Sequence, residues 1–154
     1  MTTQQSPAVP TAARTWTPAQ RFAAVFGAVY VAVGAAGFAV TGGHDFAGMD
    51  HGTLLIFSVN PLHNIIHLAL GIAWLACAPV HRAARAANLT IGVVLGLVTV
   101  LGFSGGMNML GMSGLGDPDN FLHLATATLA LYFGSVAAGT PDASPTTAAP
   151  ATDG

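Results

Sequence analysis

Residues 60–80 of this chain read Asn-Pro-Leu-His-Asn-Ile-Ile-His-Leu-Ala-Leu-Gly-Ile-Ala-Trp-Leu-Ala-Cys-Ala-Pro-Val, a run without Asp, Glu, Lys or Arg. Asn60 followed by Pro61 is typical of a helix N-cap and a first helical position. A helix needs roughly 20 largely apolar residues to cross about 30 Å of hydrocarbon. The run therefore predicts a transmembrane helix over 61–80, with several polar side chains near its start.

Three further charge-free stretches of this kind occur, and turn signals trim the predicted helices to 20–41, 61–80, 87–106 and 120–139. All four are too long and too continuously apolar for strands, and no ten-residue alternation predicts a barrel. The sequence thus predicts an all-α fold, an integral membrane four-helix bundle over 20–139. The tails 1–19 and 140–154 are rich in Pro, Thr, Ala and Ser, so we expect them to be disordered.

The composition excludes several classes of protein. Of 154 residues, 53% are hydrophobic and 6% are charged, whereas a soluble domain has about 25% charged residues. Such a chain cannot keep a soluble surface wet, which excludes a water-soluble enzyme. Four scattered Arg and a net charge of −2 provide no basic patch for nucleic acid. The lone Cys77 excludes an internal disulfide and a cysteine-based zinc site.

The arginines predict the orientation in the membrane. Two precede the first predicted helix and two lie between the second and third, at Arg14, Arg21, Arg82 and Arg85. The other two connections contain aspartates but neither Lys nor Arg. By the positive-inside rule, both termini are expected in the cytoplasm.

Two short patterns recur along the chain. Gly27 and Gly92 follow aromatic or aliphatic neighbours at an offset of 65, and Asn64-x-x-His67 recurs as Asn120-x-x-His123 at an offset of 56. We interpret the repeats as two duplicated in-out-in hairpins related by an axis along the membrane normal.

Small residues predict where helices pack closely. Gly92 and Gly96 form a GxxxG pair on the third predicted helix. Such pairs let helix backbones approach in lipid. We expect this face to be able to join two copies in a homo-oligomer.

A cluster of polar side chains is predicted in the outer half of the bundle, and its members are Asn60, His63, Asn64, His67, Asn120 and His123. His67 and His123 lie about 10 Å below the outer ends of their helices at 1.5 Å per residue. Intramembrane polar groups are expected to face the interior of a bundle.

Several interpretations of this cluster stay open. The favoured one is structural, with His and Asn hydrogen-bonded across helices. In the second, His63, His67 and His123 bind Cu or Zn as three imidazoles. In the third, His67 and His123 hold haem b as axial ligands. A path for protons or small solutes is the last.

Neither a catalytic nor a transport function is expected. Histidine is the only candidate acid or base type within the spans, and the absence of Glu and of an Asp at the right depth excludes a hydrolytic zinc protease. The helices also lack the mid-span Pro of broken transporter helices. Thioethers at Met107, Met109 and Met112 would favour Cu(I), although interfacial side chains are the preferred interpretation.

The stretch from Phe57 to Gly71, with Asn60-Pro61-Leu-His63-Asn64 at its centre, and the phrase Asp119-Asn120-Phe-Leu-His123-Leu carry a resemblance to a known family. Over about residues 17–139 the chain resembles the bacterial membrane family named domain of unknown function 4383. The resemblance implies a four-helix integral protein of the bacterial inner membrane, and it implies no activity.

Overall fold

The computed structural model describes residues 15–136, and the predicted tails beyond this range, with residues 137–139, lie outside the described residues. The described chain is mostly helical, with four α-helices and one small sheet. In order, the elements are α1 Pro18–Thr41, β1 Gly52–Leu54, β2 Phe57–Val59, α2 Pro61–Cys77, α3 His81–Phe103, a short 3-10 helix Asn108–Leu110 and α4 Pro118–Ser135.

The beginning of α1 is fixed by a capping box. The Thr17 hydroxyl accepts a hydrogen bond from the Gln20 backbone N–H, and the Gln20 side chain accepts one from the Thr17 N–H. Gln20 Nε2 also donates to the carbonyls of Ala78 and Pro79, at 3.1 and 2.9 Å. The start of α1 is thereby tied to the connection between α2 and α3.

The connection between α2 and α3 is shorter than the sequence predicts. α2 ends at Cys77, before 80, because Pro79 lacks the N–H that would continue the helix. α3 then begins at His81 rather than at 87. The arginines 82 and 85 indicate a turn from sequence alone, yet both lie in α3, where Arg85 Nε donates to the Gly134 carbonyl at 3.0 Å.

A β-hairpin, which the all-α prediction missed, follows α1. β1 and β2 are antiparallel, with Gly52 opposite Val59 and Leu54 opposite Phe57. Leu55 turns the chain with φ of 61°. Because residues 52–59 merge into the apolar run before α2, periodicity alone does not separate short strands from the neighbouring helix.

Glycines bring α1 against α2 at the positions expected from the repeat. A Cβ on Gly27 would lie 2.9 Å from Leu75 Cγ, and one on Gly37 would collide with the Asn64 side chain. The backbones of α1 and α2 can therefore pack this closely only because these positions lack side chains.

The same two contacts recur between α3 and α4. A Cβ on Gly92 would lie 2.9 Å from Leu131 Cγ, and one on Gly102 would collide with the Asn120 side chain. Each glycine stands 65 residues after its counterpart in α1, and Leu131 and Asn120 each stand 56 residues after theirs in α2. The two helix pairs thus use equivalent packing contacts.

The predicted GxxxG pair divides between two environments. Gly92 packs within the chain against Leu131, whereas a Cβ on Gly96 would meet no atom within 4 Å. Contact with a second copy at Gly96 stays a prediction.

The apolar core lies at the end of the molecule where α1 begins. Trp74 is fully buried there, with Phe22 and Tyr30 packed edge-on against its ring at 6.0 and 5.1 Å between ring centroids. A smaller apolar cluster, Met107, Leu110 and Met112, lies at the other end, which also carries the β-hairpin. We call this second end the hairpin end. The polar cluster belongs to it, at the starts of α2 and α4.

Candidate metal centre

Asn60 fixes the start of α2. Its side-chain Oδ1 accepts the His63 backbone N–H at 2.9 Å, which confirms the N-cap inferred from Asn60-Pro61. Its Nδ2 donates to the carbonyls of Gly48 and Met109, at 3.0 and 2.9 Å. One buried side chain therefore sets the position of His63 and holds two connecting loops against α2.

Asp117 caps α4 in the corresponding way. Its carboxylate accepts the backbone N–H groups of Asp119 and Ser113, at 3.0 and 2.8 Å. Asn120 then donates from Nδ2 to the Gly114 carbonyl at 2.6 Å. These bonds fix the first turn of α4 and thus the position of His123 above the second turn.

The three predicted histidines come together in one group. His63 and His67 have ring centroids 4.5 Å apart, and His123 lies 5.8 and 6.0 Å from these two rings. All three side chains are buried, and each offers a ring nitrogen within 4.8 Å of those of the other two. Two turns of α2 and one of α4 thus place three imidazoles around one point.

The imidazoles have almost no hydrogen-bond partners among residues 15–136. Both ring nitrogens of His63 and of His67, and Nδ1 of His123, are buried without a partner. The backbones of Ser58 and Leu110 approach the His63 ring without forming a bond of ordinary geometry. Leaving a buried polar group unpaired costs about 1–3 kcal/mol, so this arrangement is costly unless something else binds the nitrogens.

Asparagines, by contrast, form the polar links between elements. Asn64 donates to the Thr41 hydroxyl at 3.1 Å, joining α2 to the end of α1. Asn60 and Asn120 bind loop carbonyls, as described above. The six predicted cluster residues are all buried, but the described structure divides them into bonded amides and unbonded imidazoles.

A cavity of about 180 Å³ opens beside the imidazoles. All three histidines line it, together with Met107 and Met109 and aliphatic side chains of α2 and α3. The cavity is large enough for an ion and its ligands to adjust, since one water needs only about 10–15 Å³ by a comparable measure.

Sequence reasoning missed one buried acid, Asp119. It is 1% exposed, and its Oδ2 has no hydrogen-bond partner in the described part of the chain. Asp119 and His67 both line a second cavity of about 80 Å³. The expectation that no Asp lies at this depth is therefore wrong. The repeat contains the missed signal, because Asp119 stands 56 residues after His63 and so occupies the equivalent helical position.

The remaining histidines of the described chain lie outside the three-imidazole group. His44 Nδ1 lies 2.8 Å from an Asp50 carboxylate oxygen in an exposed loop. This bond, with one from the Asp45 backbone N–H, lowers the pKa of Asp50 below its ordinary value. The loop from His44 to His51 thus has its own local pairing and contributes no ligand to the group.

The geometry suits a transition metal with imidazole ligands. Zinc binds imidazole nitrogen at about 2.0–2.1 Å, so two ligands of a tetrahedral ion are about 3.3 Å apart. Nitrogens within 4.8 Å of one another reach this spacing by modest ring movements. Three imidazoles leave a fourth position of a tetrahedral ion open toward the cavity.

The comparisons with known proteins give a family without an activity. No curated protein and no solved structure matches the chain. A family profile described as Domain of unknown function (DUF4383) matches residues 20–136, which covers all four helices and both loops of the site. The chain therefore belongs to the family Domain of unknown function (DUF4383).

Proposed function

We propose that this chain is a four-span integral membrane protein that binds one transition-metal ion on His63, His67 and His123. The observation that carries the proposal is the convergence of three buried imidazoles whose nitrogens lack partners. A metal ion would use those nitrogens and thereby remove the cost of burying them unpaired.

The distribution of polarity supports the membrane part of the proposal. α1 and α3 are long and apolar enough to cross a membrane. Large apolar side chains are exposed along the helices, for example Val29, Ile72 and Val100, whereas Asn64, Asn88 and Asn120 are completely buried. A soluble monomer avoids large exposed apolar surface, but lipid favours polar groups that face the interior.

α2 and α4 are shorter, with 17 and 18 residues, but each packs along a longer neighbour. We propose that all four cross the membrane as a bundle of two duplicated hairpins, which the repeated glycine contacts support. The arginine positions favour cytoplasmic termini and an outward-facing hairpin end, in a bacterial inner membrane.

Two alternatives fit the site less well. A porphyrin would need a flat slot between His67 and His123, but the His63 ring lies 4.5 Å from one and 5.8 Å from the other. A structural polar cluster would need hydrogen bonds from the imidazoles, and those bonds come instead from the asparagines.

We propose binding of the ion rather than catalysis by it. Apart from the imidazoles, the walls of the 180 Å³ cavity are aliphatic and thioether side chains. These walls offer no general acid or base to a substrate at the open position of the ion.

Metal analysis of the full chain, purified in detergent, tests the proposal. We expect about one equivalent of Cu or Zn per chain after incubation with the ion and removal of the excess. His67→Ala and His123→Ala should lose it, because each removes one of three ligands. His44→Ala is the matched control, since this exposed loop histidine lies outside the group, and it should bind metal as the unmodified chain does.

Equal metal contents in all four proteins, or none in the unmodified chain, would contradict the proposal. An absorbance spectrum of the protein as purified adds a second check. A Soret band would identify haem and overturn the metal assignment.

A further inference from the structure

The three imidazoles share their cavity with two thioethers. Met107 and Met109 line the same 180 Å³ space as His63, His67 and His123. Met107 is buried, whereas the Met109 side chain is 54% exposed at the hairpin end. The two sulfur-bearing side chains thus stand between the surrounding medium and the imidazoles.

The loop that carries these methionines is held in place. The Met107 carbonyl accepts the Leu110 N–H at 2.9 Å, which closes the short 3-10 helix. Gly111 ends that helix with φ of 83°, in the left-handed region that favours glycine. Asn60, the cap of α2, donates to the Met109 carbonyl at 2.9 Å. The same side chain that orients His63 therefore also positions Met109.

Not every methionine of the loop lies in the cavity. Met112 is fully buried, and its Cε would lie 2.9 Å from a Cβ on Gly102. Met112 therefore fills space between the loop and α3. Packing of this kind accounts for Met112 but not for Met109, which is exposed and still lines the cavity.

We propose that the ion is cuprous copper, Cu(I), which enters past Met109 and takes the Met107 thioether as a ligand beside the imidazoles. This inference rests on the three-imidazole metal site proposed above. Soft thioether ligands select Cu(I), and imidazole also binds copper.

Charge supports the same choice. Neutral imidazoles and a neutral thioether leave the charge of the ion uncompensated, and the three-imidazole group includes no carboxylate. The cost of burying a charge in an apolar medium is large and rises with the square of that charge in a Born treatment. A singly charged ion is thus much less costly in this cavity than a doubly charged one.

Competition titrations of the full chain in detergent test the inference. Cu(I) is supplied without oxygen as a complex with a cuprous chelator, and Zn(II) is titrated in parallel. Met107→Leu keeps the side-chain volume but removes the sulfur, so we expect at least tenfold weaker Cu(I) binding and unchanged Zn(II) binding. Met109→Leu should slow Cu(I) loading severalfold. Met49→Leu, which changes an exposed methionine of the other loop, should alter neither ion.

X-ray absorption of the Cu(I)-loaded unmodified chain supplies a measurement that needs no variant. A sulfur neighbour of copper is expected, and its absence would overturn the inference. Cu(I) affinity unchanged in Met107→Leu would also overturn it. His67→Ala separates the two proposals: if it loses both ions, the three-imidazole site stands whatever the methionines do, and if it retains both, the site itself is wrong.

Discussion

Single residues at this site differ in what they do for stability. Asn60 makes three hydrogen bonds and joins α2 to two loops, while the neighbouring His63 makes none of ordinary geometry. Amides therefore hold the site together, and the imidazoles are left free to bind a ligand. Substitutions should separate these two contributions.

Replacing imidazoles should remove stability only when metal is present. At a metal concentration of 100 times Kd, binding stabilises the folded state by about 2.7 kcal/mol. His67→Ala or His123→Ala should lose most of this amount. The double variant should lose no more than either single one, because both changes abolish the same bound ion. Thermal unfolding with and without chelator measures this, with His44→Ala as the control.

With chelator, the two substitutions should add, since the rings share no hydrogen bond in the described structure. Additive losses in the presence of metal would mean that the two histidines do not bind one ion.

Replacing Asn60 should destabilise the protein with or without metal. Loss of an N-cap costs about 0.5–2 kcal/mol, and Asn60→Ala would also leave the carbonyls of Gly48 and Met109 without their donor. We expect a loss of about 2–3 kcal/mol on this basis. Asn108→Ala is the control, because Asn108 is exposed on the short 3-10 helix. Similar melting temperatures for the two variants would contradict the role assigned to Asn60.

At the scale of the helices, close packing depends on a few glycines. Gly37 and Gly102 face the amides of Asn64 and Asn120 so closely that a methyl group would collide with them. Overpacking of this kind typically costs about 1–3 kcal/mol. Gly96, on the same helix as Gly102, has open space around it.

Gly102→Ala should therefore lower stability by about 1–3 kcal/mol through overpacking. Gly96→Ala should be neutral or stabilising by up to about 1 kcal/mol, because alanine favours helix. Unfolding by denaturant in detergent compares the two. If Gly96→Ala is as damaging as Gly102→Ala, another surface covers Gly96, as in the predicted homo-oligomer.

The sequence is informative where one kind of signal acts alone. Asn60-Pro61 and Asp117-Pro118 each combine a cap with a helix-starting proline, so the starts of α2 and α4 follow from local chemistry. The beginning of α3 does not, because a charged first turn outside the apolar segment has no clear sequence signal. The β-hairpin is hidden for a different reason, since its short strands pair only in the folded chain.

The site itself is half predictable. The i, i+4 spacing puts His63 and His67 on one face of α2, and the repeat points to His123. The burial of Asp119 and the placement of Met107 and Met109 depend on how two loops fold over the hairpin end, which no local pattern specifies.

For the whole molecule, the proposed topology puts the loops of the hairpin end outside and both termini inside. A reporter active only outside the cytoplasm should be inactive when fused after Gly154 and active when inserted after Leu115, which is exposed in the loop before α4. The Leu115 insertion serves as the positive control for expression and export. Activity at Gly154 would contradict the four-span arrangement.

The equivalent glycine–asparagine contacts in the two helix pairs have a consequence for biosynthesis. Each hairpin contains its own packing contact, so the first can pair while the second is still being translated. His123 follows His67 by 56 residues, a delay of roughly 3–11 s at about 5–20 residues per second. During that interval the nascent chain presents only two imidazoles. An ion that requires three is therefore captured after translation of the last helix, and the loaded protein is by construction a fully assembled one.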